Sequence, residues 1–253
     1  MNKMMKRTLG TISLGLAALL LSNGIAAAED KPEADLTVGI YSKYVWRGFA
    51  LSDDNMVIQP SMTVGYKGFA FNLWGNLDTD NTAADSQEFN ETDMTISYDG
   101  SAGKLGYSLG YIYYAIEGTD TQEVYAGVSI DTILSPALTV YKDFDTFPSY
   151  YILLAVSHSF EIAKDISLDL GAHAGYLLSD DEADYADSTG GKYSDLLDGL
   201  ISASVTIPLG EYVTVTPQVY YSMALSSEAE TLLQDSDGDD SFIYGGISAS
   251  FAF

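Results

Sequence analysis

The sequence predicts an all-β chain: a transmembrane antiparallel up-and-down β-barrel of about 12 strands. Three observations carry this. The stretch Ser241–Phe253 alternates, with Ile243, Gly245, Ile247, Ala249, Phe251 and Phe253 on one parity and Tyr244, Gly246, Ser248, Ser250 and Ala252 on the other. A period of two is a strand, and a one-sided apolar strand ending the chain on an aromatic is what closes an outer-membrane barrel. Further alternating stretches precede it, joined in turn by short turns and longer acidic loops, the periplasmic and extracellular pattern of such barrels. Finally, nothing after residue 28 holds 18 apolar residues in a row. No helix would span a bilayer, whereas barrel strands need only alternation.

The first 28 residues read as a secretory signal peptide. Lys3, Lys6 and Arg7 give a basic start, Leu9–Leu21 is an apolar run, and Ala26-Ala27-Ala28 places the cut before Glu29. The apolar run is 13 residues, short of the roughly 20 that a spanning anchor needs. Residues 29–253 then form one barrel domain. Taking Lys3, Lys6 and Arg7 from the 11 basic residues leaves 8 against 36 acidic ones, a balance of −28. That excludes nucleic acid as a partner, because phosphates need a basic footprint. With no cysteine in the chain there is no disulfide, thiolate metal site or lipid-anchored cysteine. The 19 Tyr, 10 Phe and 2 Trp suit interfacial girdles.

In order, the strands fall at about 36–49, 57–67, 69–78, 90–99, 104–116, 122–131, 137–144, 150–160, 166–178, 195–207, 212–223 and the closing stretch. In the first, Leu36, Val38, Ile40, Tyr44 and Trp46 read as lipid-facing, and Thr37, Gly39, Tyr41, Lys43, Val45 and Arg47 as lumenal. Lys67-Gly68 makes a tight turn into Phe69, Phe71, Leu73 and Leu77, the clearest hairpin. Short turns follow near Asp99, Leu134, Ala163 and Pro208. Longer acidic loops lie near Asp53, Asp80, Asp120, Asp145, Asp181 and Asp237. The seventh strand is weak, and Lys142 on its lipid parity fits only at a rim, where an ammonium can snorkel. Leu197 joins Ile201, Ala203 and Val205 on the lipid parity of the tenth. Glu228–Gln234 can form a short helix in the last loop. An even count puts both termini on one side, and 10 or 14 strands stay open.

The N-terminal third carries a resemblance. Tyr44-Val-Trp-Arg-Gly48, Val57-Ile-Gln-Pro60 and Gly68-Phe-Ala-Phe-Asn-Leu-Trp-Gly-Asn-Leu77 resemble the start of the TorF-type porin family. In that family a Tyr-x-[Phe/Trp]-Arg-Gly motif opens the first strand and a Gly-Phe-x-x-x-x-Trp stretch fills the third. The resemblance covers roughly 40 residues and implies an outer-membrane barrel of porin type, with no catalytic residue or named substrate.

The candidate pore-lining residues are Lys43, Arg47, Glu91, Asp93, Asp169, His173 and Asp198. The two cations of the first strand would face those carboxylates across a constriction, where opposed charges focus a field and select ions. Equally, they can pair with the carboxylates and plug a narrow lumen, since 12 strands fall between filled and open barrels. Inward tyrosines (Tyr41, Tyr114, Tyr125, Tyr141, Tyr151, Tyr212, Tyr220) could do the filling. Asp235, Asp237, Asp239 and Asp240 resemble part of a calcium loop but lack its full spacing and distal Glu, and read better as a solvated acidic loop. His158 falls on the lipid parity. His173 and Asp169 share the lumen face but sit ~13 Å apart along a strand, so no nucleophile, base and orienting group converge.

The functional expectation is a porin-like channel in the outer membrane of a Gram-negative cell. It would pass small hydrophilic solutes passively and prefer cations, because acidic surroundings concentrate them. The alternative is a closed barrel acting as a surface scaffold or receptor through its acidic loops. Neither reading needs a cofactor or makes the chain an enzyme. The expected partners are outer-membrane lipid and lipopolysaccharide, the barrel-assembly machinery through Phe253, and the solutes.

Overall fold

A computed structural model describes residues 31–79 and 89–253. The signal segment and the loop over 80–88 lie outside the described residues. The elements are β1 (Glu33–Tyr41), β2 (Val45–Trp46), β3 (Phe49–Ala50), β4 (Val57–Tyr66), β5 (Phe69–Asp78), β6 (Phe89–Ala102), β7 (Leu105–Ile116), β8 (Thr119–Ile130), β9 (Ala137–Asp143), β10 (Ser149–Ala163), β11 (Ile166–Ser179), β12 (Ser194–Pro208), β13 (Val213–Ala224), α1 (Ser227–Leu232) and β14 (Ser241–Ala252). Twelve of the strands form one closed barrel, and β2 and β3 form a separate two-stranded hairpin.

Closure is made by β1 and β14, with Leu36 opposite Phe251, Val38 opposite Ala249 and Ile40 opposite Ile247. Every barrel strand then has two neighbours, so its backbone groups pair strand to strand, as a hydrocarbon setting requires. The pleat sorts side chains by parity. Leu36, Val38 and Ile40 on β1, Leu105 and Leu109 on β7, and Ile243 and Ile247 on β14 are exposed on the outside, while Thr37, Tyr41, Ser248 and Ser250 are buried inside. A continuous apolar exterior is a lipid contact, not a solvated surface. At the short-turn end, Phe69, Tyr98 and Tyr107 pack as tilted rings with successive centroids 4.8 and 6.4 Å apart, as in an interfacial girdle. At the other end the Lys142 ammonium bonds to Asp180 and lies 4.3 Å over the Tyr150 ring, so this lipid-parity cation does sit at a rim.

Strand order and count agree with the sequence reading, but several details do not. Asp99 lies inside β6, opposite Ser108, and the turn comes at Gly103-Lys104. The first strand ends at Tyr41, not at residue 49, and Tyr44 is buried inside the barrel and Trp46 packs against its lumenal clusters. The Glu117–Thr121 stretch is a two-residue turn with Gly118 at φ 87°, not a loop. Tyr212 is exposed at a turn, so it does not fill the lumen. Leu197 is buried because β12 carries one extra residue there: Ala174 pairs with Gly199 but Tyr176 pairs with Leu196. Such a bulge shifts the parity of everything beyond it.

The lumen differs along its axis. Its extracellular half is packed by two apolar clusters, one around Tyr114, Tyr141 and Tyr151, the other around Tyr41, Trp74 and Tyr244, and Trp46 packs against both. The periplasmic half, toward the short turns, is lined by small polar residues, among them Thr37, Ser108, Thr214 and Ser250.

Candidate functional site

The site is built by the first connection, residues 42–56, which turns into the barrel. Its base is tied by the Tyr44 N–H donating to Ser52 Oγ at 2.8 Å and the Leu51 N–H to the Tyr44 carbonyl at 2.8 Å. Trp46 pairs with Phe49 across a two-residue turn, Arg47-Gly48, with φ 49° and 86°. Two successive positive φ values are the type I′ hairpin turn, which glycine adopts at no steric cost. Gly48 is needed for a second reason: a Cβ there would lie 2.7 Å from Leu233 Cδ1 and 2.9 Å from Asp198 Cβ.

Arg47 at the tip reaches β8. Its Nη1 and Nη2 donate to Glu123 Oε1 and Oε2, both at 2.7 Å, and the Tyr114 hydroxyl donates to Glu123 Oε2 at 2.9 Å. The guanidinium carbon lies 4.4, 4.7 and 4.3 Å from the ring centres of Trp46, Tyr141 and Tyr151. A planar fork on a carboxylate, enclosed by aromatic faces, is a role lysine does not fill. Glu123 is buried, so removing Arg47 alone would cost about 3–5 kcal/mol by leaving a charge without its partner.

Asp198 makes a second node. It accepts from the Tyr151 hydroxyl at 2.7 Å, and its other oxygen is 2.9 Å from His173 Nε2. Gly175 makes room, because a Cβ there would meet Asp198 Oδ1 at 2.3 Å and the Tyr151 hydroxyl at 2.4 Å. The β12 bulge lies opposite Gly175 and aims both Leu197 and Asp198 inward. Glu91 and Asp93 are buried on β6, and Tyr44 hydrogen-bonds to Glu91.

The expected constriction is therefore redistributed. Arg47 and Lys43 lie on the inserted connection, not on the wall. Arg47 pairs with Glu123, which the sequence reading did not single out. Lys43 bonds to Asp54 at 2.9 Å, approaches Asp235 at 3.8 Å and lies 4.9 Å from the Phe242 ring centre, near the mouth. Asp169 stays away from both nodes and accepts from Ser167 and Thr206 at 2.9 and 2.8 Å. In the last loop, Asp235 Oδ1 accepts the N–H groups of Asp237 and Asp239, both at 3.0 Å. Those backbone donors, Asp239 first, hold the Asp235 carboxyl below its usual range. Asp235 thus spends its oxygens on its own loop and Lys43. Among the described residues no group of three or more His, Cys, Asp or Glu is arranged to hold a metal ion.

A short helix covers the node. Ser226 caps α1, accepting from Ala229 N at 3.1 Å and donating to the Leu196 carbonyl at 2.8 Å. Ala229 and Leu233 are buried in the lumenal cluster. Glu228 takes the Ser188 N–H and hydroxyl at 2.6 and 2.7 Å, tying this lid to the long loop that carries Tyr185. Tyr185 packs 6.1 Å from Phe49 at the hairpin. Among the described residues no serine or threonine hydroxyl bonds to His173. His158 faces outward and contacts the Ile133 carbonyl at 2.6 Å.

The sequence matches no family model and no curated protein. Solved structures do resemble the chain. A NanC porin aligns over 86% of this chain and 98% of its own, with 12% identity and a TM-score of 0.56. An outer-membrane channel from Pseudomonas putida F1 aligns over 91% and 97%, with 10% identity and a TM-score of 0.49. At such identity the likeness to the first is one of fold. That fold and the apolar exterior together make this chain an outer-membrane β-barrel.

Proposed function

We propose that the chain is a porin-like channel whose aperture is set by the β2–β3 hairpin, passing small hydrophilic solutes and preferring cations. The observation that carries this is the hairpin itself: a short polar-tipped segment seated in the lumen by one ion pair, above a polar, small-residue periplasmic half. Cation preference rests on the charge left after pairing. Glu123 is matched by Arg47, while Glu91 and Asp93 have no cation against them among the described residues, and buried like charges favour cations nearby. The residues above are its lining. The chain is exported by a leader cut before Glu29, and a channel of this kind calls for no catalytic role. The Tyr44–Gly48 motif supports a TorF-type relationship. Phe253 pairs with Ala34 at the barrel seam and presents an exposed aromatic terminus to the assembly machinery, and lipopolysaccharide contacts the outer face.

The packed extracellular half favours a second reading, a closed barrel that acts through its loops. Recording the refolded chain 29–253 in a planar bilayer under a salt gradient separates the two. Discrete steps with a cation-selective reversal potential support the channel. Anion selectivity removes the preference, and a folded barrel that never conducts supports the closed reading.

A further inference from the structure

Among the described residues, four buried side-chain atoms make no hydrogen bond: Asn72 Oδ1, Trp74 Nε1, Asp93 Oδ1 and Thr95 Oγ1. All four belong to β5 and β6, and all point into the lumen. They form two directly opposed pairs, Trp74 with Asp93 and Asn72 with Thr95. Opposed residues on one face have Cβ atoms about 5 Å apart, and the next pair on that face is about 7 Å along the strand. The four atoms therefore share one small patch of wall. Trp74 and Asp93 are each 2% exposed. A buried polar atom without a partner costs about 1–3 kcal/mol, more when charged. Four such atoms together, where every other buried side-chain N or O atom of the described residues has a partner, mark a place built for something else to bond.

The four atoms constrain what that is. Asn72 Oδ1 and, as a carboxylate, Asp93 Oδ1 only accept, Trp74 Nε1–H only donates, and Thr95 Oγ1 does both. The occupant must supply at least two donors and one acceptor. A bare cation offers nothing to the indole N–H. An anion offers no donors and meets Asp93 beside Glu91 and Glu123, with the nearby guanidinium already committed to Glu123. An ammonium group satisfies Asp93 and Asn72 in charge and in donors, and a neighbouring hydroxyl satisfies Trp74 and Thr95. We propose that this wall of β5 and β6 is a binding site for a small cationic amino alcohol. It lies beside Tyr44, whose ring centre is 5.6 Å from that of Trp74. Occupancy does not require the channel to conduct, and the proposal stands or falls separately from it.

Four matched probes test it on the refolded chain 29–253 in detergent at about 0.15 M salt, where diffuse attraction to the acidic loops is screened beyond roughly 8 Å. They are ethanolamine, ethylammonium (no hydroxyl), ethylene glycol (no charge) and glycolate (negative), read by saturation-transfer NMR. Ethanolamine should bind saturably, at least ten-fold more tightly than ethylammonium or ethylene glycol, and glycolate should give no signal. Asp93→Asn should remove the advantage of ethanolamine over ethylene glycol. Trp74→Phe should remove its advantage over ethylammonium. Heat-modifiable migration verifies that each variant is folded, and Thr95→Val, a near-isosteric change, gives a milder variant expected to weaken ethanolamine several-fold. If folded wild-type protein gives no saturable ethanolamine signal up to 100 mM, or binds glycolate as well, or binds ethanolamine unchanged after Asp93→Asn, the proposal is wrong and the four atoms are hydrated only.

Discussion

Arg47 and Glu123 meet through two parallel 2.7 Å hydrogen bonds, although β1, which feeds the hairpin, and β8, which carries Glu123, lie five strands apart one way around the ring and seven the other. The pair therefore ties the first connection across the barrel. Arg47→Ala should unseat the hairpin, since the buried carboxylate that remains is worth about 3–5 kcal/mol against the closed arrangement. Limited chymotrypsin digestion reads this directly: Trp46 and Phe49 should be protected in the parent and cut in the variant. The double change Arg47→Met with Glu123→Gln, which leaves no orphan charge, should restore protection.

Gly48 and Gly175 hold the two nodes open for their neighbours. Gly48→Val puts a β-branched residue at φ 86° against Leu233 and Asp198 and should behave like loss of the latch in the same digestion. Gly175→Ala has ordinary backbone geometry but no room beside Tyr151 and Asp198. It should lower thermal stability by about 1–3 kcal/mol, the usual cost of overpacking, with digestion of the hairpin unchanged.

Charge selection should follow the carboxylates that face no cation among the described residues. Glu91→Gln with Asp93→Asn is expected to move the reversal potential under a salt gradient toward zero. Asp169→Asn should leave it close to that of the parent, because Asp169 is held by Ser167 and Thr206 away from the nodes.

The last loop should respond to acid late. Asp235 is depressed below 3.8 by its own backbone donors, so its contribution is full above that value and is lost only as pH falls through the lower native one. Carboxyl NMR should place its midpoint below 3.8, with faster exchange of the Asp237 and Asp239 amides beneath it. A midpoint at or above 3.8 contradicts the loop geometry.

Much of this was legible in the sequence, because lipid on one side and lumen on the other impose a strict period of two. Lys67-Gly68 was readable as a turn since long alternating runs flank it. Arg47-Gly48 has nearly the same φ pair, yet each flanking strand is only two residues, and the alternation of 36–49 runs straight through it. Alternation alone therefore places Tyr44 and Trp46 in lipid and Arg47 on the wall. Glu123 was hidden by distance along the chain: parity makes it lumenal, but nothing local names its partner 76 residues away. Leu197 turns inward against its parity because of the bulge, which hydrophobic alternation does not announce. The inward aspect of Glu91, Asp93, His173 and Asp198 followed from parity alone.

The hairpin's control of the lumen is tested most directly by deleting it. Tyr41 pairs with Val57, so removing residues 44–52 leaves residues 42–43 and 53–56 to bridge neighbouring strand ends, and Glu123→Gln made with the deletion leaves no orphan charge on the wall. The measurement is single-channel conductance of this variant beside the parent, in one bilayer composition and salt gradient. The expected result is a step several-fold larger than the parent's, cation-selective in both. Equal steps would contradict the hairpin as the element that sets the aperture, and silence from both folded chains would contradict a channel altogether.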